Sequence, residues 1–490
     1  MIRRFEYLWL ILVVLLAFSV RLYRIDNPIA DWHSWRQADT SAVSRNFLKF
    51  GFDPLHPRFD DLSNVASGKD NPQGYRFVEF PIYNAVSAGA ANIAGTFPIE
   101  IWERLISILA ALGSLVFLFF LVKKYLGRRV GLLTAFFFAV LPFNIYFGRT
   151  ILPEASMVFT SLGMIYFFDK WVEGKSDIKD QKSKAPCIIK NYSYFILAVI
   201  FTAAGLLIKP YVLFLFLPLL YLAWRKWGIR LFIQPSLYLY ILMSLAPFIW
   251  WRQWIIQFPE GIPASDWLFN AGNIRFKGAF FYWIFADRLG RLILGYFGVA
   301  LLVLGLAIKR GERERWFFDV WLLSILTYFT VLAGGNVQHD YYQVIAIPII
   351  SVFLAKGANF LLSPPKEFNK SISYMLFAIC SLFMLSFSWY HVRDFFNVNR
   401  GEIIEAGKAV DRLVPKNAKV IAPYGGDTAF LYQTNRQGWP VGFEIEDKIK
   451  KGANYYVNIN ISDPETDYVM KKYKVLEKTD KYVIVELTLQ

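Results

Sequence analysis

Long apolar runs separated by short polar breaks dominate this chain of 490 residues. About eleven runs are long enough to carry a helix across a bilayer, near 6–22, 102–122, 130–147, 152–171, 192–208, 211–224, 236–251, 289–308, 316–334, 342–358 and 372–390. A polar segment, 23–101, separates the first two. It carries a helical pattern at about 34–50, stopping at Gly51, and another at about 82–96. Both patterns are amphipathic enough to lie along a membrane interface. A second long loop, 252–288, mixes Trp254, Trp267 and Trp283 with Arg275 and Lys277, a blend suited to lipid headgroups. From about 391 the chain becomes charged and punctuated. There Gly401–Leu413 reads as an amphipathic helix and Ala418–Ala422 as a strand running into Pro423-Tyr-Gly-Gly426. Asn454–Ile461 reads as a strand, and Tyr473–Leu487 as a hairpin. The pattern predicts a mainly α, polytopic membrane protein. Residues 1–390 would form the transmembrane domain, with interfacial helices in the first outer loop, and 391–490 a small outer α/β domain.

Composition agrees. The chain is 56% hydrophobic and 18% aromatic, with mean hydropathy +0.36, which excludes an ordinary soluble domain. The formal charge of +15 would suggest a nucleic-acid partner. The Lys and Arg residues instead sit in short loops between apolar runs, so they read as orientation signals, with no nucleic acid involved. Arg3 and Arg4 place the N-terminus in the cytoplasm. Alternation then brings Lys123, Lys124, Arg128 and Arg129 to that side. The same side receives the loop with Lys175, Lys179, Lys182, Lys184 and Lys190, and later Arg225, Lys226, Arg230, Lys309, Arg310, Lys366 and Lys370. Eleven spans leave the C-terminal domain outside a plasma membrane, the inner one in a bacterium. No small-residue cleavage site follows the first run, so it reads as an uncleaved helix. Cys187 and Cys380 are too few for a disulfide framework and fall in different settings.

With orientation set, polar groups gather on one side. The stretch Asp31-Trp-His-Ser-Trp-Arg-Gln-Ala-Asp39-Thr40 directly follows the first span and holds Asp31, His33, Arg36 and Asp39. Such a cluster beside a bilayer is costly unless solvated or used. Other outer loops add Arg76 and Glu79, Arg149 and Glu154, Lys209, and His339-Asp340-Tyr341-Tyr342. Each has a plain structural explanation. Glu154 can cap the helix after Pro153, Lys209 can snorkel, Arg149 can meet a headgroup and His339-Asp340 can be a simple pair. Their coincidence on one face argues for a site. Cations (Arg149, Lys209, Arg275, Lys277) suit a phosphate leaving group, and a carboxylate suits a general base. Carboxylates with His339 and Asp340 can also hold a divalent metal. No HExxH, P-loop, GxSxG or nucleotide-binding glycine motif stands in a suitable context. The chemistry indicated is group transfer from a lipid phosphate.

Several of these motifs resemble a known family. They are Ser44-Arg45-Asn46-Phe47, Glu79-Phe80-Pro81-Ile82-Tyr83, Arg104-Leu105, Arg149-Thr-Ile-Leu-Pro-Glu154, Leu206-Leu-Ile-Lys209-Pro210 and His339-Asp-Tyr-Tyr342 before Pro348. Over roughly 1–390 the chain resembles the C-type (GT-C) membrane glycosyltransferases of the dolichyl-phosphate-mannose-protein mannosyltransferase-like group, which includes lipid A aminoarabinose transferase. The resemblance implies inverting sugar transfer from a polyprenyl-phosphate donor, at a membrane lipid surface, to a protein, lipid or glycan outside the cytoplasm. It also implies a key carboxylate in the first outer loop. The family's Asp-Glu pair is replaced here by Arg36-Gln37. Asp39, three residues from Arg36 on one helical face, is the preferred carboxylate and Asp31 the alternate. Glu79 and Glu154 would complete the acidic pocket. His33, Arg36, Arg76, Arg149, Lys209, Arg275, Tyr341 and Tyr342 would bind substrate, and His339 and Asp340 would bind any metal. Two other readings remain. One is a ligase or polymerase using a lipid-diphosphate donor; the other is a transporter of lipid-linked glycans. A transporter would carry its polar site near the midplane, with inverted repeats.

Overall fold

The computed structural model describes residues 2–180 and 184–487, with side chains for 7–174 and 189–487. Lys175, Lys179, Lys182, Lys184 and Cys187 have side chains outside that range. Each apolar run is helical. The first half comprises α1 (Ile2–Arg21), α2 (Ser34–Phe50), α3 (Ile82–Ala94), α4 (Ile99–Leu126), α5 (Arg128–Val140), α6 (Pro142–Phe147), α7 (Glu154–Asp180), α8 (Lys184–Ile208), α9 (Phe216–Trp227) and α10 (Pro235–Ile255). Two short helices, α11 (Trp267–Asn270) and α12 (Gly278–Phe281), precede α13 (Gly298–Ala307), α14 (Phe317–Val331), α15 (Ala333–Gln338), α16 (Ile347–Leu362) and α17 (Lys370–Val392). Among the described residues, five helices are long and apolar enough to cross a membrane, or six if one bent pair counts as a span. Tyr7–Arg21 and Phe317–Val331 are shorter apolar helices. Outward-facing Trp9, Ile11, Leu239 and Leu242 suit a hydrocarbon surround.

Local chemistry explains where the helices depart from simple spans. The 130–147 run is two helices. Leu141 is extended, Pro142 opens α6, and proline's missing N–H and ring forbid a continuous helix. The 289–308 run bends by 112° between Gly278–Ile293 and Gly298–Ala307. Gly295 at the bend has φ 46°, and a Cβ there would collide with the α17 backbone at Met384. Gly305 of α13 and Gly357 of α16 face each other so closely that a Cβ on either would strike the opposite backbone. Small residues let these helix backbones touch, a packing device of membrane bundles.

The tail forms α18 (Gly401–Leu413), β1 (Lys419–Ile421), α19 (Ala429–Gln433), β2 (Gly438–Trp439), α20 (Ile445–Lys450), β3 (Ala453–Asn458), α21 (Pro464–Lys472), β4 (Lys474–Lys478) and β5 (Val483–Glu486). Its sheet has the order β2-β1-β3-β5-β4. β1 is parallel to β2 and β3, and β5 is antiparallel to β3 and β4. The first outer loop is stitched to its β2 edge. Leu62 N donates to Gly438 O at 2.8 Å and Gly438 N donates to Asp60 O at 2.9 Å. One apolar core is shared by Ala38, Ala42, Phe47 and Phe59 of that loop and by Ile403, Val410 and Phe430 of the tail. A separate, larger core unites the membrane helices.

The interfacial placement of α2 needs correction. Most of α2 is buried inside the protein, polar residues included. Its serines explain why. Ser41 and Ser44 donate to the buried Glu103 carboxylate at 2.5 and 2.6 Å. Buried polar groups are tolerated when paired, so a helix that reads as amphipathic becomes interior. α3 keeps an outward apolar side, with Ile93 and Val86 exposed.

Candidate functional site

The site is built on α2. Gly51, with φ 98°, ends this helix, and His33, with φ 55°, begins it from a left-handed turn. In between, Trp35, Arg36 and Asp39 line one wall of a cavity of about 710 Å³. Asp39 Oδ2 pairs with Arg76 Nη2 at 2.6 Å, and Asp39 Oδ1 accepts the Thr428 hydroxyl at 2.7 Å. Arg36 Nη2 pairs with Glu79 Oε1 at 2.6 Å. Lys209 Nζ pairs with Glu154 Oε1 at 3.0 Å. Arg36, Arg76 and Lys209 all face the cavity, as do Tyr341 and Tyr342. Burial alone would raise the Glu79 pKa, but the charges of Arg36, Lys209 and Arg76 hold it below the usual carboxylate range. Much of the remaining wall is apolar, with Leu213, Phe214, Phe248, Leu268 and Phe269, and Arg252 adds a further cation.

Beside this cavity, Arg76 Nε and Glu79 Oε2 are buried without a hydrogen-bond partner among the described residues, and Glu154 is held by its Lys209 ion pair. Such groups are costly unless a substrate completes them. A pocket with a cationic end and an apolar body fits an amphipathic phosphate ester.

Asp31 lies elsewhere. Its carboxylate accepts Gln37 Nε2 at 2.7 Å and sits 3.6 Å from Arg149 Nη2, with both side chains fully enclosed. Gln37 in turn accepts from Ile151 N at 3.1 Å. Arg149 donates to the carbonyls of Tyr23 and Arg24, and Arg104 donates to those of Ile25 and Asn27. Burial pushes the Asp31 carboxyl up, against the charges of Arg104 and Arg149. This knot ties the exit of α1 to α2, α4 and the turn before α7; neither Asp31 nor Arg149 lines the cavity. Arg275 also lies off the cavity, donating to Val331 O at 2.9 Å and fastening its loop to the end of α14.

His33 Nε2 meets Asp340 Oδ1 at 2.5 Å, and Trp32 Nε1 donates to Asp340 Oδ2 at 2.9 Å. Both Asp340 oxygens are therefore engaged. The His339 ring lies among Trp35, Trp267 and Tyr341. Burial, and then His33, pushes His339 down to about 4, so it is neutral near physiological pH. Among the described residues no group of three or more His, Cys, Asp or Glu is arranged to hold a metal ion. Asp340 is thus bound by His33 and Trp32, and His339 packs against aromatic rings.

Other cavity residues escaped the sequence analysis. Asp61 comes from the first outer loop, and Asp427 and Thr428 from the turn before α19. Burial pushes both carboxyls up to about 6, with the nearby Asp39 adding to the shift. The available signal was the Pro423-Tyr-Gly-Gly426 turn after β1, since turns after parallel strands often carry sites.

The model of the dolichyl-phosphate-mannose-protein mannosyltransferase family matches residues 81–254. No curated protein matches the sequence. Among solved structures, ArnT from Cupriavidus metallidurans bound to undecaprenyl phosphate is similar with TM-score 0.65 at 12% identity, over 98% of this chain and 98% of that one. The oligosaccharyltransferase AglB from Archaeoglobus fulgidus, in complex with an inhibitory peptide and a dolichol-phosphate, gives TM-score 0.55 at 12% identity over 98% and 74%. The mycobacterial arabinofuranosyltransferase AftD gives TM-score 0.57 at 14% identity over 100% of this chain and 42% of that one. The chain thus has the C-type glycosyltransferase fold, mannosyltransferase-like in the stretch matched by the family model and similar along its whole length to ArnT.

Proposed function

We propose that the protein transfers a sugar from a polyprenyl-phosphate donor to an acceptor on the outer face of the membrane, with inversion. The observation that carries this reading is the cavity where Arg36, Arg76 and Lys209 stand beside Asp39 at one end of an apolar groove. The likeness to ArnT, which was solved with undecaprenyl phosphate, supports the donor class. In this reading the cations hold the phosphate and the aromatic wall holds the lipid chain. Asp39 takes the proton of an acceptor hydroxyl as its oxygen attacks the anomeric carbon. The bond from that carbon to the phosphate oxygen breaks, and the lipid phosphate departs with the bonding pair, stabilised by the cations. No step is routed through a metal. Eleven spans, with a cytoplasmic N-terminus and an outer C-terminal domain, complete the reading. They would place the site outside the cytoplasm of a bacterial cell.

The test uses full-length protein in lipid nanodiscs with radiolabelled undecaprenyl-phosphate monosaccharides and lipid, peptide and glycan acceptors. Release of undecaprenyl phosphate with one donor, falling about 100-fold or more in Asp39→Asn, is expected for loss of a general base. Unchanged release in Asp39→Asn sinks the reading. Turnover only with undecaprenyl-diphosphate donors would favour a ligase or polymerase.

A further inference from the structure

We propose that Thr428 of the C-terminal domain is a positioning residue for the Asp39 carboxylate, which makes that domain part of the transferase site; this rests on the role given to Asp39 above. Thr428 and Asp39 are 389 positions apart, yet the hydroxyl reaches Asp39 Oδ1 at 2.7 Å, with Trp35 O 3.2 Å away as a second acceptor. Arg76 holds the other oxygen at 2.6 Å. A carboxylate pinned at one oxygen can still rotate about its Cβ–Cγ bond; pinned at both, it cannot. Each oxygen has two lone pairs, so the Thr428 bond leaves Oδ1 one more with which to receive an acceptor's proton. Both side chains are buried, at 4% and 8% exposure, where a hydrogen bond to a charged group is strong.

The ordinary explanation for a threonine beside a helix start is a cap. Here Thr428 makes no side-chain cap bond. The Asp427 carboxylate does that work, accepting from Ala429 N at 2.7 Å. The Thr428 hydroxyl is thus released for Asp39. Its backbone is fixed in turn, because Thr428 O accepts Tyr432 N at 2.8 Å. Tyr432, on the same face of α19 four residues on, shares a hydroxyl contact of 2.8 Å with Ser41 and lies under the Arg45 guanidinium at 3.9 Å. The start of α19 is therefore docked along α2 at two points, and Thr428 is the one at the carboxylate.

The test measures kcat and KM for the radiolabelled undecaprenyl-phosphate sugar that supports turnover, in full-length wild type, Thr428→Val, Thr428→Ser and Asp39→Asn. Geometry lost at a reacting group costs about 10–100-fold in rate. Thr428→Val should lose that much in kcat with KM moved less than about two-fold, and Thr428→Ser should keep most of the rate. In Asp39→Asn, adding Thr428→Val should cost nothing further, because groups acting as a unit are not additive. If Thr428→Val does not fold, Thr428→Ala removes the same hydroxyl with less bulk. Thr428→Val at or above the wild-type rate, with Asp39→Asn inactive, overturns the positioning role and leaves the transferase reading standing. Equal losses in Val and Ser, or a loss confined to KM, overturn it as well. Full activity in Asp39→Asn overturns both.

Discussion

Asp31 and Asp39 stand eight positions apart in one segment and are buried to the same 4% exposure beside an arginine. Their surroundings differ in what the partners do. Around Asp31, Arg149 and Arg104 bind backbone carbonyls of residues 23–27 and knit four chain segments together. Around Asp39, Arg76 and Thr428 line a cavity that also receives Arg36 and Lys209. Buried charge and ion pairing therefore do not separate a structural knot from a site in this fold. What differs is the cavity: Asp39 lines the large one with Arg36, Arg76 and Lys209, whereas Asp31 lines a smaller one of about 310 Å³ beside His33 and Arg400.

That contrast can be broken by experiment. The largest effect is kinetic. Asp39→Asn should lower kcat by about 100- to 10,000-fold, the range for a lost general base, measured at a temperature where the variant stays folded. The next is a loss of stability. Asp31→Leu leaves Arg149 without its carboxylate, and breaking a buried pair costs about 3–5 kcal/mol. Its thermal midpoint should fall sharply, while Asp31→Asn, which keeps the Gln37 contact, should retain turnover. A large rate loss in Asp31→Asn with a normal midpoint would reverse the assignment of the two carboxylates. Smaller again is Arg76→Gln, which should raise KM for the lipid donor about 10-fold, as expected for removing one bond to a charged group, and also lower kcat because Asp39 loses its contact at Oδ2.

A further effect concerns pH and Asp61, another of the cavity's carboxyls. Burial raises its folded pKa from 3.8 to about 6, so the folded state holds this proton more tightly than the unfolded chain does. The stability from that neutral carboxyl is present below about pH 4 and is lost as pH rises through about 6. Asp61→Asn should therefore gain about 3 kcal/mol relative to wild type near pH 7, and little near pH 4. Melting curves at the two pH values check this. An equal change at both would mean that Asp61 acts through packing.

Much of this arrangement was legible from periodicity. α2 and its stop at Gly51, the helix at 401–413 and the final hairpin all stand where the pattern predicts them. Arg36, Asp39, Glu79, Lys209, Tyr341 and Tyr342 come together as the one-sided gathering of polar loops implied, with Glu154 paired to Lys209. Arg149 and Arg275 were candidates for the same reason, yet neither lines that cavity. A guanidinium that holds backbone carbonyls looks identical in sequence to one that waits for a phosphate.

The sequence by itself determined the apolar helices, the C-terminal α/β tail and the polar segment that lines the cavity. These follow from local periodicity and from the cost of burying unpaired backbone in lipid. Only the tertiary structure placed Asp39 at the large cavity and Asp31 in the knot with Arg149, buried α2 inside the protein and brought Thr428 to Asp39. Those outcomes depend on contacts between residues hundreds of positions apart, and on how each buried charge is completed by its neighbours. No local pattern records either.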